Sequence, residues 1–476
     1  MDDIYINSLQ PSIIYFSGIK MDSERMDAHF YHSKYINNEK QINESGMRVE
    51  LLDKVILKMN SPIGWQGIPS ESYLPEGIGV PLIRVQNVND LMLDRDTLIG
   101  VQEYIYQEQP AIQAESDDII ITRVGTIGRV CRIPDKISKI AMGQNLTRIK
   151  VDANIVSSEY LTVFMATNYC QLQMKRYAYG GVQPSLTNKN IRQLLIPIPS
   201  LEIQEYIGNK VKSAEELREE AKKLREKNKE ILENELELSK LEEIKIDAEK
   251  QKNKWIKEED IEERIDGDFY HPRYNYYDKA LFKLDKIGNH FKISKERINR
   301  NHIKEIRYID LSSINNLISP QLMDVKDAPD RAQLKVKEGD VIISTLSGSK
   351  KVGIITADLD GCICTTGLVV LRSTSKILTP EYLHAIFLNE LFNIQIDKYS
   401  SGAIMSGVAN SDFEKMRIPI ISNKSIVDKI SDNTKEHFKK LLEAKKIIQE
   451  AKQDVEDLIE GNFNMDKLNE SLLESR

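Results

Sequence analysis

Residues 159–200 have the sequence EYLTVFMATNYCQLQMKRYAYGGVQPSLTNKNIRQLLIPIPS, and residues 381–422 repeat its pattern as EYLHAIFLNELFNIQIDKYSSGAIMSGVANSDFEKMRIPIIS. The two segments share 11 identical residues over 42 positions without a gap, and most other positions keep their apolar character. Chance similarity is not expected to hold one register over that length. We therefore predict that the chain consists of two diverged copies of one unit.

The repeat extends toward the N-terminal side of each segment. DIIITRV (Asp118–Val124) aligns with DVIISTL (Asp340–Leu346), and PLIRVQNV (Pro81–Val88) resembles RYIDLSSI (Arg307–Ile314) in its alternation. Short β-type runs alternate with turn residues in both copies, and helical periodicity follows them. Each copy is therefore predicted to be a mixed α+β domain.

One helix is predicted at the start of each 42-residue segment, over 157–176 in the first copy and 379–397 in the second. Ser157 or Ser158 is the expected N-cap of the first helix, and Thr379 is that of the second. The prolines of LLIPIPS and MRIPIIS, which close the two copies, predict an edge strand or an exit from the sheet.

A long charged helix is predicted after each copy, the first over about residues 203–250. Apolar and small residues recur there at alternating spacings of three and four, which is the pattern of a heptad seam. The predicted seam includes Leu217, Leu224, Asn228, Ile231, Leu238, Leu441, Ile448, Val455 and Leu458. We expect the two helices to pair antiparallel, with Asn228 fixing their register. Packing of each helix on its own domain or on another protein is the alternative.

Basic residues are concentrated in the two copies. Seven basic residues and one acidic residue lie between 119 and 150, although the whole chain has a formal net charge of −7. Arg and Lys neutralise phosphates, and Arg, Asn and Gln bond to base edges, so we predict a nucleic-acid surface. The candidate DNA-binding residues are Arg123, Arg129, Gln144, Asn145, Arg148, Tyr179, Gln183, Lys350 and Lys351. Ordinary solvated charge is the alternative interpretation.

Searches for catalytic and targeting motifs find none. The chain lacks a P-loop, an H-E-x-x-H pair and the Asn/Asp-Pro-Pro-aromatic tetrapeptide of amino-methyltransferases. Its four cysteines show no C-x-x-C spacing, which indicates a reducing cytoplasm, and no signal peptide or membrane span is expected. We predict a non-catalytic cytoplasmic binding protein without a metal site. A metal nuclease that uses Asp27, His29 and His32 is the enzymatic alternative.

Each copy opens on a related stretch, ERMDAHFYHSKY (Glu24–Tyr35) in the first and ERIDGDFYHPRY (Glu263–Tyr274) in the second. The second copy has Asp268 in place of His29, which argues against a metal site. Aromatic residues beside one Arg–Asp pair suit a repeat anchor, which we expect to seat each copy against the long helices. A contact with a partner subunit is the alternative. The predicted anchor residues are Arg25, Asp27, Phe30, Tyr31, Arg264, Asp266, Phe269 and Tyr270.

In this order, the features resemble the specificity subunits of type I restriction–modification systems. The resemblance rests on the tandem repeat, the long helices, the opening stretches, GDVIIS, and GGVQPSLTNKNIRQLLIPIPSLEIQEYI (Gly180–Ile207). Four residues of the last stretch match the family's first-repeat pattern, namely Gln183, Pro197, Pro199 and Gln204. The second copy departs from that pattern at three of these places, with Met405, Ile421 and Ile426.

The resemblance implies an α+β protein with two tandem target recognition domains, residues 1–200 and 255–422. Two long helices, within 201–254 and 423–476, would form an antiparallel coiled coil with pseudo-twofold symmetry. Each domain would contact one half of a bipartite double-stranded DNA site, and the helices would set the spacing. Two methyltransferase subunits and a motor-nuclease subunit would be partners and would bind S-adenosylmethionine and ATP, with no cofactor in this chain. A coiled-coil scaffold with two protein-binding heads is the alternative.

Overall fold

The structure is a computed structural model. It describes residues 29–62, 68–75, 77–89, 91–95, 97–178, 184–238, 255–261, 264–274, 284–349, 351–374, 378–401 and 407–474. The chain divides into two compact units, of which unit 1 comprises Met1–Glu216 with Ala444–Arg476 and unit 2 comprises Leu217–Glu443. The division falls within both long helices. The sequence-based domain boundaries follow chain order and stay a prediction.

Unit 1 begins with helices and strands of the first copy. In chain order they are α1 (Ser33–Asn43), β1 (Arg48–Leu51), β2 (Ile56–Asn60), β3 (Tyr73–Leu74), β4 (Val80–Ile83), β5 (Val88–Asn89), β6 (Met92–Leu93), β7 (Ile99–Val101), α2 (Glu103–Glu108), β8 (Gln113–Ala114), β9 (Ile119–Thr122), β10 (Val130–Arg132), β11 (Ile140–Met142), β12 (Leu146–Val151), α3 (Ser158–Ala166), α4 (Asn168–Tyr177), α5 (Asn188–Ile191) and β13 (Leu195–Ile198). One sheet has the antiparallel order β10-β9-β12-β2, and a second has the order β3-β7-β4-β11-β8 with β4 and β11 parallel. Among the described strands, the proline-containing β13 pairs with β1 alone.

Two long helices follow the copies. Their bounds are α6 (Leu201–Glu235), which follows the first copy, and α10 (Lys424–Glu460), which follows the second and precedes α11 (Met465–Glu474). The second copy contains β14 (Asp285–Lys286), β15 (Phe291–Ile293), β16 (Glu305–Ile309), β17 (Gln321–Asp324), β18 (Ala332–Lys335), β19 (Val341–Ser344), β20 (Val352–Ile354), β21 (Ile363–Thr365), β22 (Leu368–Ser373), α7 (Pro380–Phe387), α8 (Glu390–Tyr399), α9 (Asn410–Phe413) and β23 (Arg417–Ile418).

Unit 2 repeats the sheet topology of unit 1. The order β20-β19-β22-β15 corresponds to β10-β9-β12-β2, and β17-β16-β21-β18 corresponds to β7-β4-β11-β8. The central pair of the second sheet, β16 with β21, is parallel like β4 with β11, and β14-β23 corresponds to β1-β13. The predicted repeat of a mixed α+β unit is therefore confirmed.

Antiparallel pairing of the long helices is confirmed within each unit. In unit 2, the Asn228 amide donates to the Ile430 carbonyl at 3.1 Å and to Thr434 Oγ1 at 3.0 Å. His437 Nδ1 lies 2.7 Å from the Ala221 carbonyl oxygen, so residue numbers fall on α10 as they rise on α6. In unit 1, both the Tyr206 hydroxyl and the Lys210 ammonium donate to Asp454.

The seam of the two helices combines small and branched residues. The predicted seam residues Asn228, Leu441, Ile448 and Val455 are buried, and the flanking alanines at 214, 221, 444 and 451 are fully so. Leu217, Leu224, Ile231 and Leu458 are partly buried. Small side chains at the seam allow the helices to approach closely, as the pattern predicts.

The first long helix ends earlier than predicted. It stops at Glu235, and Glu237 adopts a φ of 53°, a left-handed backbone conformation that cannot continue a right-handed helix. Leu238 therefore lies outside the helix, and the predicted seam is wrong at that residue. The rest of the predicted helix, residues 239–250, lies outside the described residues.

Each of the two predicted single helices is divided in two. In unit 1 the break is at Thr167, whose backbone is extended and whose hydroxyl donates to the Phe164 carbonyl at 2.6 Å. In unit 2 Asn389 caps the second helix, its Oδ1 accepting from the Leu391 N–H at 2.9 Å. Neither residue is a Gly or Pro, so the sequence carries no strong break signal. The predicted N-caps Ser157 and Thr379 are confirmed.

Buried glutamines at equivalent places attach a helix to the closing strand of each unit. Gln173 donates to the Leu195 carbonyl at 3.0 Å and accepts from the Leu195 N–H at 2.7 Å. Gln395 forms the same pair of bonds with Arg417, at 2.9 and 2.7 Å. The identity of these two glutamines between the copies thus has a structural cause, because each satisfies both backbone groups of one strand residue.

Replacing Gln395 by methionine is expected to lower the free energy of unfolding of unit 2 by about 2–3 kcal/mol. Methionine keeps the length of the side chain but leaves the N–H and carbonyl of Arg417 without these bonds. Chemical denaturation followed by circular dichroism measures the loss. Gln321→Met, at an exposed position of β17, is the matched control and should change stability by less than about 0.5 kcal/mol. Equal effects of the two substitutions would contradict this role of Gln395.

Candidate nucleic-acid interface

Three segments of unit 1 meet at one end of the β9–β10 hairpin. The Arg123 N–H donates to the Asn145 carbonyl at 2.9 Å, and the Leu186 N–H donates to the Arg123 carbonyl at 2.9 Å. Arg129, Gln144 and Asn145 are exposed there. The structure thus brings four of the predicted DNA-binding residues to one surface. Tyr179 and Gln183 lie outside the described residues.

The same three segments meet in unit 2. The Val408 N–H donates to the Thr345 carbonyl at 3.0 Å, and the Thr345 N–H donates to the Gly367 carbonyl at 3.4 Å. Lys351 lies at the end of this turn, immediately before β20. Lys350 lies outside the described residues. The turn at the end of the hairpin is therefore a repeated feature of both units.

Two basic residues of these turns have asparagine partners that sequence reasoning missed. The Arg129 Nη1 donates to Asn89 Oδ1 at 3.3 Å, and the Lys351 ammonium donates to Asn315 Oδ1 at 2.8 Å. A signal was present, because Asn89 and Asn315 directly follow the aligned stretches PLIRVQNV and RYIDLSSI. The Lys351 ammonium also donates to the Ile314 carbonyl at 2.5 Å.

Arg123 is a half-buried cation. Its Nη2 donates to the Pro62 carbonyl at 3.3 Å, and its Nε atom is buried without a hydrogen-bond partner among the described residues. Burial lowers the pKa of its guanidinium, and no carboxylate in the described part of the chain offsets that effect. Such a group favours an anionic ligand, because an added negative charge would compensate the lost hydration.

Arg148 is an internal residue, which contradicts its predicted contact with DNA. Only 6% of it is exposed, and its Nε lies 2.6 Å from the buried Asp118 carboxylate. Further bonds join its guanidinium to the Gln113 carbonyl at 2.9 Å and to Glu115 at 3.1 Å. Burial raises the pKa of Asp118, and the Arg148 guanidinium opposes that shift. Arg148 therefore neutralises a buried acid within the sheet.

Most of the basic charge between 119 and 150 is likewise paired within unit 1. Lys139 binds Glu103 at 2.7 Å, and Lys150 binds Glu115 at 2.5 Å. Arg132, of which 2% is exposed, is surrounded by four carboxylates, those of Asp117, Asp135, Glu159 and Glu215. Most of the basic residues that form the local excess in the sequence therefore neutralise carboxylates within unit 1.

The repeat anchors contact the C-terminal ends of α4 and α8. In unit 2, Arg264 donates to the Tyr399 and Ser400 carbonyls at 3.0 and 3.3 Å and binds Asp266 at 2.7 Å. The Phe269 ring packs edge-on against Tyr399, with centroids 5.5 Å apart, and the Tyr270 hydroxyl donates to the Arg264 carbonyl.

Unit 1 repeats this anchor packing. The Phe30 ring lies 5.6 Å from that of Tyr177 and 5.2 Å from that of Tyr31, and Arg176 Nε donates to the Phe30 carbonyl at 2.9 Å. Arg25 and Asp27 lie outside the described residues. The anchors thus seat against α4 and α8, and the expected seat against the long helices was wrong for these contacts.

Within the described part of the chain, no group of three or more His, Cys, Asp or Glu side chains is arranged to hold a metal ion. His29 Nε2 lies 3.2 Å from the Lys175 carbonyl, and His32 Nδ1 accepts from the Lys34 N–H. No described helix combines the length and apolar character needed to cross a bilayer.

Comparison with known proteins supports the resemblance. Residues 66–233 match the family model described as the type I restriction modification DNA specificity domain. The chain is 25% identical over 134 residues to the type I restriction enzyme EcoBI specificity subunit of Escherichia coli. It is 27% identical over 191 residues to the putative type I restriction enzyme MjaX specificity subunit of Methanocaldococcus jannaschii. These matches cover 28% and 40% of this chain and span 28% and 41% of the two relatives.

Solved structures of similar proteins include the type I restriction–modification S subunit from M. genitalium, at 12% identity and a TM-score of 0.37. That comparison covers 88% of this chain and 97% of the other. The HsdS subunit from Thermoanaerobacter tengcongensis has 15% identity and a TM-score of 0.28, with 88% and 96% covered. At these TM-scores the structural likeness carries no argument about the function of this chain. The family match and the two relatives confirm the predicted resemblance to type I specificity subunits.

Proposed function

We propose that this chain is the DNA specificity subunit of a type I restriction–modification complex and that each unit reads one half of a bipartite double-stranded site. The observation that carries the proposal is the surface at the end of the β9–β10 hairpin in unit 1 and of the β19–β20 hairpin in unit 2, here called the repeated turn surface. It lies at the same place of the same topology in both units. The match of residues 66–233 to a DNA specificity domain supports this interpretation for the first copy. A tandem repeat suits an interrupted DNA target, since each copy can address one half-site.

The direct contacts in unit 1 are assigned to the exposed Arg129, Gln144 and Asn145, and a phosphate contact is assigned to Arg123. Arg side chains bond bidentately to guanine, and amides bond to adenine, so these residue types suit base reading. The half-buried Arg123 suits a phosphate, which carries no sequence information but fixes the position of the protein on the duplex. In unit 2, Lys351 is the candidate DNA contact at the place that corresponds to Arg129.

The long helices set the distance between the half-sites and dock two methyltransferase subunits. Their buried polar bonds support this role, because Asn228 fixes one antiparallel register. The chain itself is non-catalytic. The methyltransferases bind S-adenosylmethionine, and a motor-nuclease subunit binds ATP.

Deleting this gene in its native host is expected to abolish methylation at one split DNA motif. The physical reason is that the methyltransferase subunits lack this recognition surface and would not be directed to that sequence. Methylome sequencing of the parent and the deletion strain measures the change. Complementation with the intact gene should restore the same motif. If every split motif remained methylated after deletion, the proposed function would be wrong.

The alternative of a coiled-coil scaffold makes a different prediction for the assembled complex. A scaffold with protein-binding heads would show no salt-dependent contribution of its own to DNA binding. A specificity subunit that neutralises phosphates gives an affinity that falls steeply as salt rises. Titration of the purified complex with a duplex that carries the motif, at two salt concentrations, distinguishes the two functions.

A further inference from the structure

One basic–amide pair occupies the same place in both units. Arg129 and Lys351 each immediately precede the second strand of the equivalent hairpins, β9–β10 and β19–β20. Their partners, Asn89 and Asn315, lie at equivalent places after β4 and β16, the strands that pair in parallel with β11 and β21. The pair has therefore been kept although the basic residue differs, which indicates a shared role at this surface.

The orientation of each asparagine amide is set by a second bond. Asn89 Nδ2 donates to the Gln86 carbonyl at 2.9 Å, and Asn315 Nδ2 donates to the Ser312 carbonyl at 3.4 Å. Because the amide nitrogen is occupied by a carbonyl three residues earlier, the Oδ1 atom is directed to the basic residue. The amide is thus an acceptor with a fixed direction toward Arg129 or Lys351.

The backbone that carries each asparagine is also fixed in the same way. In unit 1 the buried Asn87 accepts the Arg84 N–H at 2.9 Å and donates to Thr97 Oγ1 at 2.8 Å. In unit 2 the buried Ser313 accepts the Asp310 N–H at 3.2 Å. Each asparagine therefore projects from a turn whose own backbone is closed by a buried polar side chain.

The two basic residues differ in the hydrogen bonds that they form within the protein. The Lys351 ammonium donates to the Ile314 carbonyl and to Asn315 Oδ1. The exposed Arg129 guanidinium is bonded to Asn89 through one Nη1 atom, and its Nε–Nη2 edge lies at the opposite side of that planar group. A guanidinium fork of this kind matches the O6 and N7 acceptors of guanine in the major groove.

We propose that Arg129 reads a guanine in the half-site of unit 1 and that Asn89 is the residue that positions it. This inference rests on the proposed function. In unit 2 the equivalent pair of Lys351 and Asn315 places a positive charge at the same position and connects the end of the β19–β20 hairpin to the turn after β16. Asn89 touches no base, and it acts by limiting the orientations of the Arg129 fork.

The test is methylome sequencing of cells that express the complete complex with variants of this chain. Asn89→Ala and Arg129→Lys are each expected to raise methylation, by about tenfold, at sites where one guanine of one half-site is replaced. The other half-site should stay unchanged. Asn315→Ala should leave the base preference of the unit 1 half-site as in the parent.

Gln86→Ala is the matched control, because it removes an exposed amide from the same turn and keeps the carbonyl that Asn89 uses. It should leave the motif unchanged. Thermal melting of each variant separates positioning from folding, since a purely structural role would lower the melting temperature and methylation without relaxing the base preference.

Three results would overturn the inference. The first is an unchanged base preference in Asn89→Ala when Arg129→Lys relaxes it, which would show that Asn89 does not position the arginine. The second is a half-site without a guanine at the position that Arg129→Lys affects. The third is a base preference that Gln86→Ala relaxes as much as Asn89→Ala does. Absence of any split motif with the parent chain would instead reject the proposed function itself.

Discussion

Replacing Arg132 by methionine is expected to lower the free energy of unfolding of unit 1 by about 3–5 kcal/mol. The guanidinium is almost completely buried, donates to Glu215 on α6 at 3.2 Å, and lies 3.4 Å from Glu159. Methionine would leave the Glu215 carboxylate without the cation that it bonds to. It would also remove one of two cations beside Glu159, the other being Lys212 at 3.3 Å. This loss exceeds the small gain from apolar packing. Denaturant titration of the unit 1 transition measures the effect.

Two matched variants make this prediction specific. Lys139→Met removes an ion pair with Glu103 in which both side chains are about half exposed, so it should cost less than about 1 kcal/mol. Adding Glu215→Leu to Arg132→Met should restore part of the loss, because one uncompensated carboxylate is removed with the cation. If Arg132→Met and Lys139→Met cost the same, the buried cluster does not stabilise unit 1 in this way.

The cluster around Arg132 shows what can and what cannot be inferred from the distribution of charge along the sequence. The local excess of basic residues is visible in the sequence, but the partners of Arg132 lie from 3 to 83 residues away along the chain. Charge density in a segment gives no information about burial. The pattern therefore predicts that Arg148 contacts DNA, although Asp118 and Glu115 hold it inside the sheet. Exposed Arg129 cannot be distinguished from Arg148 by residue type alone.

Periodicity and internal repetition were more informative about the fold. The antiparallel seam follows from heptad spacing, and the same register predicted the buried asparagine at position 228. The breaks at Thr167 and Asn389 were missed because they depend on side-chain bonds to the backbone, which propensity does not describe. One departure of the second copy, Ile426 in place of Gln204, also has a physical cause. Buried Gln204 bonds to the Ser157 N–H in unit 1, whereas Ile426 packs on the apolar core of unit 2.

Adding four residues to both long helices, after Glu216 and after Glu443, is expected to lengthen the gap of the split motif by about two base pairs. These positions coincide with the boundaries of the two units, so neither repeated turn surface is altered. Four helical residues add about 6 Å, and one base pair occupies about 3.4 Å along the duplex. Under the proposed function, both half-sites should keep their sequences, and methylation of the original spacing should be lost. Methylome sequencing measures both changes.

Insertion into both helices is necessary because α6 and α10 form an antiparallel pair in each unit, and a single insertion would shift one seam against the other. Four residues correspond to a stutter, which a coiled coil accommodates by local unwinding. The control is the same four-residue insertion after Gly461, in the turn between α10 and α11, which should leave the gap unchanged. Methylation that persists at the original spacing in the double insertion would show that the helices do not set the gap. Altered half-site sequences would show that the units do not read them independently of the helices.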